Sequence, residues 1–156
     1  MAIENSSLIA GVKITPKRKI CDDRGAIFHM LRNDDPEFTQ FGEVYFSKVY
    51  PGVVKAWHIH KKMALHYLIV VGSIRLALFD DRENSPTKGV YQEIFLDEAD
   101  SKLVTIPRLV WNGFKGIGAA PSIVANCSTE PHDPDEILRR SPQDEYFKYD
   151  WGQKHG

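Results

Sequence analysis

Cysteine is scarce in this chain of 156 residues: only Cys21 and Cys127 occur, in unrelated contexts and without a C-x-x-C pair. That leaves no disulfide framework, and the expectation is two buried free thiols in a reducing compartment. Long apolar runs are also missing. Nothing approaches the roughly 18 residues of a membrane span, and the patch at 8–12 lacks the basic flank of a signal peptide. A cytoplasmic protein is expected. A surplus of one charge is absent too, since the net charge is −1 with acids and bases interspersed. Such a chain has no global field for nucleic acid or membrane, although a few Lys and Arg in a cleft can still make an anion site. There is no internal repeat, no low-complexity linker, and no useful amphipathic helical pattern before residue 133.

What is present suits one packed domain. A hydrophobic fraction of 42% argues against disorder, and the length leaves little for a second core. Residues 1–151 are read as the domain and 152–156 as a disordered tail. Short β-type runs at 43–50, 53–60, 65–71, 74–79, 91–96, 103–106, 110–115 and 123–127 alternate with turn residues. Their even spacing predicts an all-β sandwich or barrel, with Gly72-Ser73 as a tight hairpin turn. Asp133-Pro134-Asp135-Glu136 offers an N-cap, a first-position proline and acids, so a short C-terminal helix is expected to run to Arg140. The aromatic segment 145–151 is expected to pack onto the barrel.

The chemistry concentrates in Gly52-Val53-Val54-Lys55-Ala56-Trp57-His58-Ile59-His60. On a strand, His58 and His60 share one face and Trp57 and Ile59 the other. Such a pair can ligate a metal, supply a base near neutral pH, or be merely hydrogen-bonded. Metal-binding cupins carry G-x5-H-x-H-x3-4-E-x6-G, and Gly52, His58, His60 and Gly72 stand in that register. The glutamate position is Leu65, however, and the second motif, from Pro107, has Leu109 for glycine and Asn112 for histidine. Half of the usual ligand shell is thus apolar or amide, so neither metal nor cofactor is expected.

Several segments in order resemble the dTDP-4-dehydrorhamnose 3,5-epimerase family. Asp22-Asp23-Arg24-Gly25-Ala26-Ile27 is similar to its D-x-R-G-x-F, and the stretch from Gly52 to His58 to its G-V-L-R-G-L-H, with Lys55 for arginine. Asp80-Asp81-Arg82-Glu83-Asn84-Ser85-Pro86-Thr87 is close to D-L-R-x-x-S-P-T. Ile106-Pro107 with Asn112-Gly113-Phe114 follows I-P-x-G-F-A-H-G-F, and Tyr149-Asp150-Trp151 looks like I-D-W.

The resemblance implies a homodimeric cupin, a double-stranded β-helix (jelly-roll) barrel that binds a nucleotide-diphosphate 4-keto sugar. It implies an epimerase or isomerase of cell-surface polysaccharide or deoxysugar biosynthesis. His58 matches the base that removes a proton beside the ketone, which needs a group titrating near neutrality and an oxyanion donor. Arg24 and Lys55 would suit the diphosphate, with His60 and Asn112 as further substrate contacts. The family's catalytic tyrosine falls in Ser128-Thr129-Glu130-Pro131-His132-Asp133-Pro134, where His132 is read as either a substitute acid or a surface residue. The barrel lysine falls at Leu65, and Tyr67, two residues on, is a candidate cavity tyrosine. Members continue past the position of Trp151 to an aspartate that pairs with the base. Asp80 is read as a partner of either His58 or Arg82. Two alternatives stay open: a metal-dependent cupin using His58 and His60, and a non-catalytic nucleotide-sugar-binding module.

Overall fold

The computed structural model describes residues 8–152; of the tail expected to be disordered at 152–156, all but Gly152 lies outside them. Twelve strands are present there: β1 (Lys13–Pro16), β2 (Lys19–Asp22), β3 (Gly25–Phe28), β4 (Glu43–Val49), β5 (Val54–His60), β6 (Leu65–Val71), β7 (Ser73–Asp80), β8 (Tyr91–Asp97), β9 (Lys102–Ile106), β10 (Val110–Gly116), β11 (Ser122–Ser128) and β12 (Ile137–Arg139). The eight expected strands appear as β4 to β11, each end within one residue. They form two five-stranded antiparallel sheets, β1-β9-β6-β11-β4 and β12-β5-β10-β7-β8, with β2–β3 as a separate hairpin. The chain passes repeatedly from one sheet to the other, which is the jelly-roll arrangement of a cupin barrel.

Alternation explains why the sheets face each other. Along β8, Gln92, Ile94 and Leu96 are buried while Glu93, Phe95 and Asp97 are exposed. Leu65, Tyr67 and Ile69 from one sheet meet Ile74, Leu76 and Leu78 from the other in the main core. The outer face of the second sheet is covered as well. There Phe147 stacks on Trp57 at 4.4 Å between ring centroids, and Trp151 joins the same buried cluster. Each such aromatic pair adds about 0.5–1.5 kcal/mol beyond its buried area. The C-terminal segment therefore clamps the back of the strand whose front carries the histidines.

Three expectations are corrected. Gly72 makes no hairpin, because β6 and β7 lie in different sheets. It turns a corner at φ +83°, where a Cβ would come within 2.3 Å of Ser122 Oγ. The C-terminal helix is absent. Asp135 N–H donates to Asp133 Oδ1 at 2.9 Å in a tight turn, and Ile137–Arg139 pairs as an edge strand with β5 instead. A sheet edge satisfies those backbone groups with partners already in place, whereas a single helical turn carries an unfavourable nucleus. Finally, Cys127 is buried but Cys21 is exposed on the β2–β3 hairpin.

Candidate active site

Two rows of side chains face each other inside the barrel. Across the second sheet, Arg139 on β12, His58 on β5 and Asn112 on β10 are cross-strand partners. Across the first, Tyr45 on β4, Asn126 on β11 and Tyr67 on β6 are likewise in register. Cross-strand partners project to the same face, so each row is a line of inward neighbours. The Tyr67 hydroxyl fixes the rows against one another: it lies 3.4 Å from His58 Nε2 and donates to Asn112 Oδ1 at 3.2 Å. Asn112 Nδ2 in turn donates to the His58 carbonyl at 3.4 Å. Gly113 permits the close approach of β10 to β5, since a Cβ there would lie 2.3 Å from Ala56 Cβ.

Two spaces that share part of their lining adjoin these rows. An inner chamber of about 80 Å³ is lined by Tyr67, Phe114, Val124 and Asn126 together with Tyr45, Lys55 and His58. An outer vestibule of about 330 Å³ shares Tyr45, Lys55 and His58 and adds Trp57, His60 and Arg139. His58 therefore stands where chamber and vestibule meet. A cleft of about 650 Å³ opens elsewhere, at the loop after β7, and none of the sequence-predicted site residues lines it.

Burial pushes the His58 pKa down to about 3, helped by the positive fields of His60 and Arg139 and partly opposed by a hydrogen bond with Asn112. The imidazole is therefore neutral at pH 7. Burial also raises Tyr67 well above the ordinary phenol range, and raises Tyr45. Both tyrosines keep their protons. His60 is paired differently: its Nδ1 contacts Glu136 Oε1, and Glu136 Oε2 accepts from the backbone N–H of Lys62 at 3.1 Å and of Met63 at 3.3 Å. Burial works to raise the Glu136 pKa, but the bonds from His60, Lys62 and Met63 outweigh it and hold the carboxylate ionised. Lys55 donates to Ser47 Oγ at 2.9 Å on the chamber wall.

The family model for dTDP-4-dehydrorhamnose 3,5-epimerase matches residues 6–155. The chain belongs to that family. Spore coat polysaccharide biosynthesis protein SpsL of Bacillus subtilis (strain 168) is 34% identical over 92% of this chain and 97% of its own length. The probable low-salt glycan biosynthesis epimerase Agl13 of Haloferax volcanii is 36% identical over 91% of this chain and 89% of its own. Among solved structures, a dTDP sugar isomerase from Desulfovibrio desulfuricans G20 superposes with a TM-score of 0.91 at 38% identity, covering 95% of both chains. The expected family and cupin barrel are borne out, and membership makes this protein an enzyme of the nucleotide-sugar epimerase class.

Within this dTDP-4-dehydrorhamnose 3,5-epimerase family member, the structure gathers His58, His60, Tyr67, Asn112 and Lys55 into one region and leaves three sequence candidates outside it. Asp80 is fully buried beneath the loop after β7. It accepts from Arg82 Nε at 2.8 Å, Ser85 Oγ at 2.5 Å and Thr87 Oγ1 at 2.6 Å, so of its two expected partners it takes Arg82. Arg24 is exposed on the β2–β3 hairpin, ion-paired with Asp22 at 2.7 Å, in a cleft that shares no lining residue with the vestibule. His132 is exposed in the loop before β12 and lines neither chamber nor vestibule. Leu65, at the family lysine's position, is sealed in the core. Among the described residues no group of three or more His, Cys, Asp or Glu is placed to hold a metal ion.

Sequence reading missed Tyr45, Asn126, Glu136 and Arg139. The alternation of 43–50 would have placed Tyr45 on the same face as Ser47. Glu136 and Arg139 were hidden by the helical reading of their segment, which assigned them to a first and a last turn.

Proposed function

We propose that this protein epimerises a nucleotide-diphosphate 4-keto sugar at a carbon beside the ketone, with His58 as the general base. The observation that carries the reading is an imidazole, neutral at pH 7, that lines both a small chamber and a vestibule, with Lys55 on both walls and Arg139 on the second. Abstraction of an α-proton requires an unprotonated base, and the electron pair it releases must settle on the ketone oxygen. The Tyr67 hydroxyl, a protonated donor beside His58, is suited to receive that enolate oxygen by turning from Asn112. Lys55 and Arg139 supply cations for the diphosphate, Arg139 in a planar fork and Lys55 as a point charge.

The names of the relatives support the setting: one is a spore coat polysaccharide protein and another a glycan biosynthesis epimerase. We place this protein in cell-surface polysaccharide or deoxysugar synthesis in the cytoplasm, where the exposed thiol of Cys21 stays reduced. We further propose a homodimer. Edge strand β4 and its flanks expose Phe41, Val44, Phe46 and Tyr50, with Phe46 66% exposed, an apolar surface that pairing with a second copy would cover.

The test is turnover of nucleotide-linked 4-keto-6-deoxy sugars, with product stereochemistry read by proton NMR. Inversion at a carbon adjoining the ketone is expected. Binding of those sugars without any product would leave a binding module in its place.

A further inference from the structure

Inversion at a carbon needs a proton removed from one face and another delivered to the opposite face. His58 can serve only the face of the wall it projects from. Tyr67 cannot serve the opposite face, since its hydroxyl sits against His58 Nε2. His132 is exposed and lines neither space. Tyr45 differs from both. It stands on β4, at the edge of the sheet opposite His58, and lines chamber and vestibule alike. Its hydroxyl accepts a hydrogen bond from Asn126 Nδ2 at 3.0 Å, which orients the oxygen and leaves its own proton free to donate.

Resting on the epimerase reading above, we propose that Tyr45 is the proton donor of this enzyme, acting across the cavity from His58. The two rows set the geometry. Neighbouring strands lie about 4.8 Å apart and facing sheets about 10 Å apart. A sugar ring held between the edge of one row and the middle of the other therefore meets His58 on one face and Tyr45 on the other. Arg139, at the edge of the His58 row, and Tyr45 line the same vestibule, so the two edges face one space. Burial keeps the phenol protonated at neutral pH.

The step balances without any further reactant. His58 takes the proton from the carbon, and the C–H electron pair moves to the adjoining carbon–carbon bond as the carbonyl becomes an enolate. The enolate then re-forms the C=O while its carbon takes the Tyr45 proton on the opposite face. The phenolate regains a proton and the imidazolium loses one through the vestibule, which is open to solvent.

The experiment is Tyr45→Phe assayed in deuterated water, following deuterium at the carbon beside the ketone and the configuration of the product separately. The variant keeps the ring and loses only the hydroxyl. Exchange is expected to persist within about threefold of the parent enzyme, while inverted product falls at least about 100-fold, the usual worth of a positioned acid. The alkaline limb of the kcat profile should vanish with the hydroxyl, a signature that a merely structural tyrosine would not give. Inversion at the parent rate would overturn the assignment. So would loss of exchange together with inversion in a variant of unchanged thermal stability, which would make Tyr45 a binding residue. Failure of the parent enzyme to exchange any sugar would instead overturn the epimerase reading itself, and this assignment with it.

Discussion

The Tyr67 hydroxyl lies 3.4 Å from His58 Nε2 and gives its proton to Asn112 Oδ1 at 3.2 Å, so one phenol joins the two walls of the barrel. Removing it should have two separable effects. Tyr67→Phe leaves Asn112 Oδ1 buried without its donor, a loss of about 1–3 kcal/mol in urea unfolding. The same change withdraws the proposed donor to the enolate oxygen and should lower kcat by about 10²–10³. A stability loss with kcat unchanged would confine Tyr67 to a structural role.

Stability should depend on pH through His58. Its folded pKa of about 3 lies below the ordinary 6.5, so below pH 6.5 the unfolded chain binds a proton that the folded chain refuses. The contribution is therefore complete above about pH 6.5 and is lost as pH falls toward 3. Between pH 6.5 and 5 the loss should amount to roughly 1–2 kcal/mol, before the carboxylates begin to titrate. Chemical denaturation across that window should show the decline, and His58→Asn should flatten it. An unaltered decline in the variant would assign it to other groups.

Glu136 carries three contacts from buried surroundings, to His60 Nδ1 and to the backbone N–H groups of Lys62 and Met63. It thereby ties the loop after β5 to the start of β12, the strand that presents Arg139. Glu136→Ala should cost about 3–5 kcal/mol, the penalty for breaking a buried pair from one side. His60→Ala in the same background should then add little, because the two lose a shared interaction. Additive losses in that double-mutant cycle would show that the residues act independently.

Phe46 tests the proposed dimer. Its outward side chain lies in the apolar strip on edge strand β4, and a lysine there is a standard guard against strand-edge association. Sedimentation should find the parent chain as a dimer and Phe46→Lys as a monomer with an unchanged circular dichroism spectrum. A parent chain that sediments as a monomer contradicts the proposal.

The strands were legible because each buries one face, and period-2 alternation is written in residues such as Gln92, Ile94 and Leu96. Family motifs carried the jelly roll and located His58. What failed was what depends on partners distant in sequence. Ile137–Arg139 has the local marks of a helix, and only the unpaired edge of β5 turns it into a strand. Tyr45 lay inside a correctly read strand, but nothing local reveals that its hydroxyl meets Asn126, 81 residues away. Leu109 shows the converse. It replaces a motif glycine yet keeps the left-handed backbone at φ +67°, held by its N–H to the His60 carbonyl at 2.8 Å. Here the turn outlived the residue that usually makes it.

The most direct test of the account is deuterium incorporation beside the ketone of a nucleotide-linked 4-keto-6-deoxy sugar, compared between the parent enzyme and His58→Asn. The account predicts rapid incorporation by the parent enzyme and none above background by the variant, with the nucleotide still bound through Lys55 and Arg139. Equal incorporation by the two proteins would remove His58 from the chemistry and contradict the reading built on it.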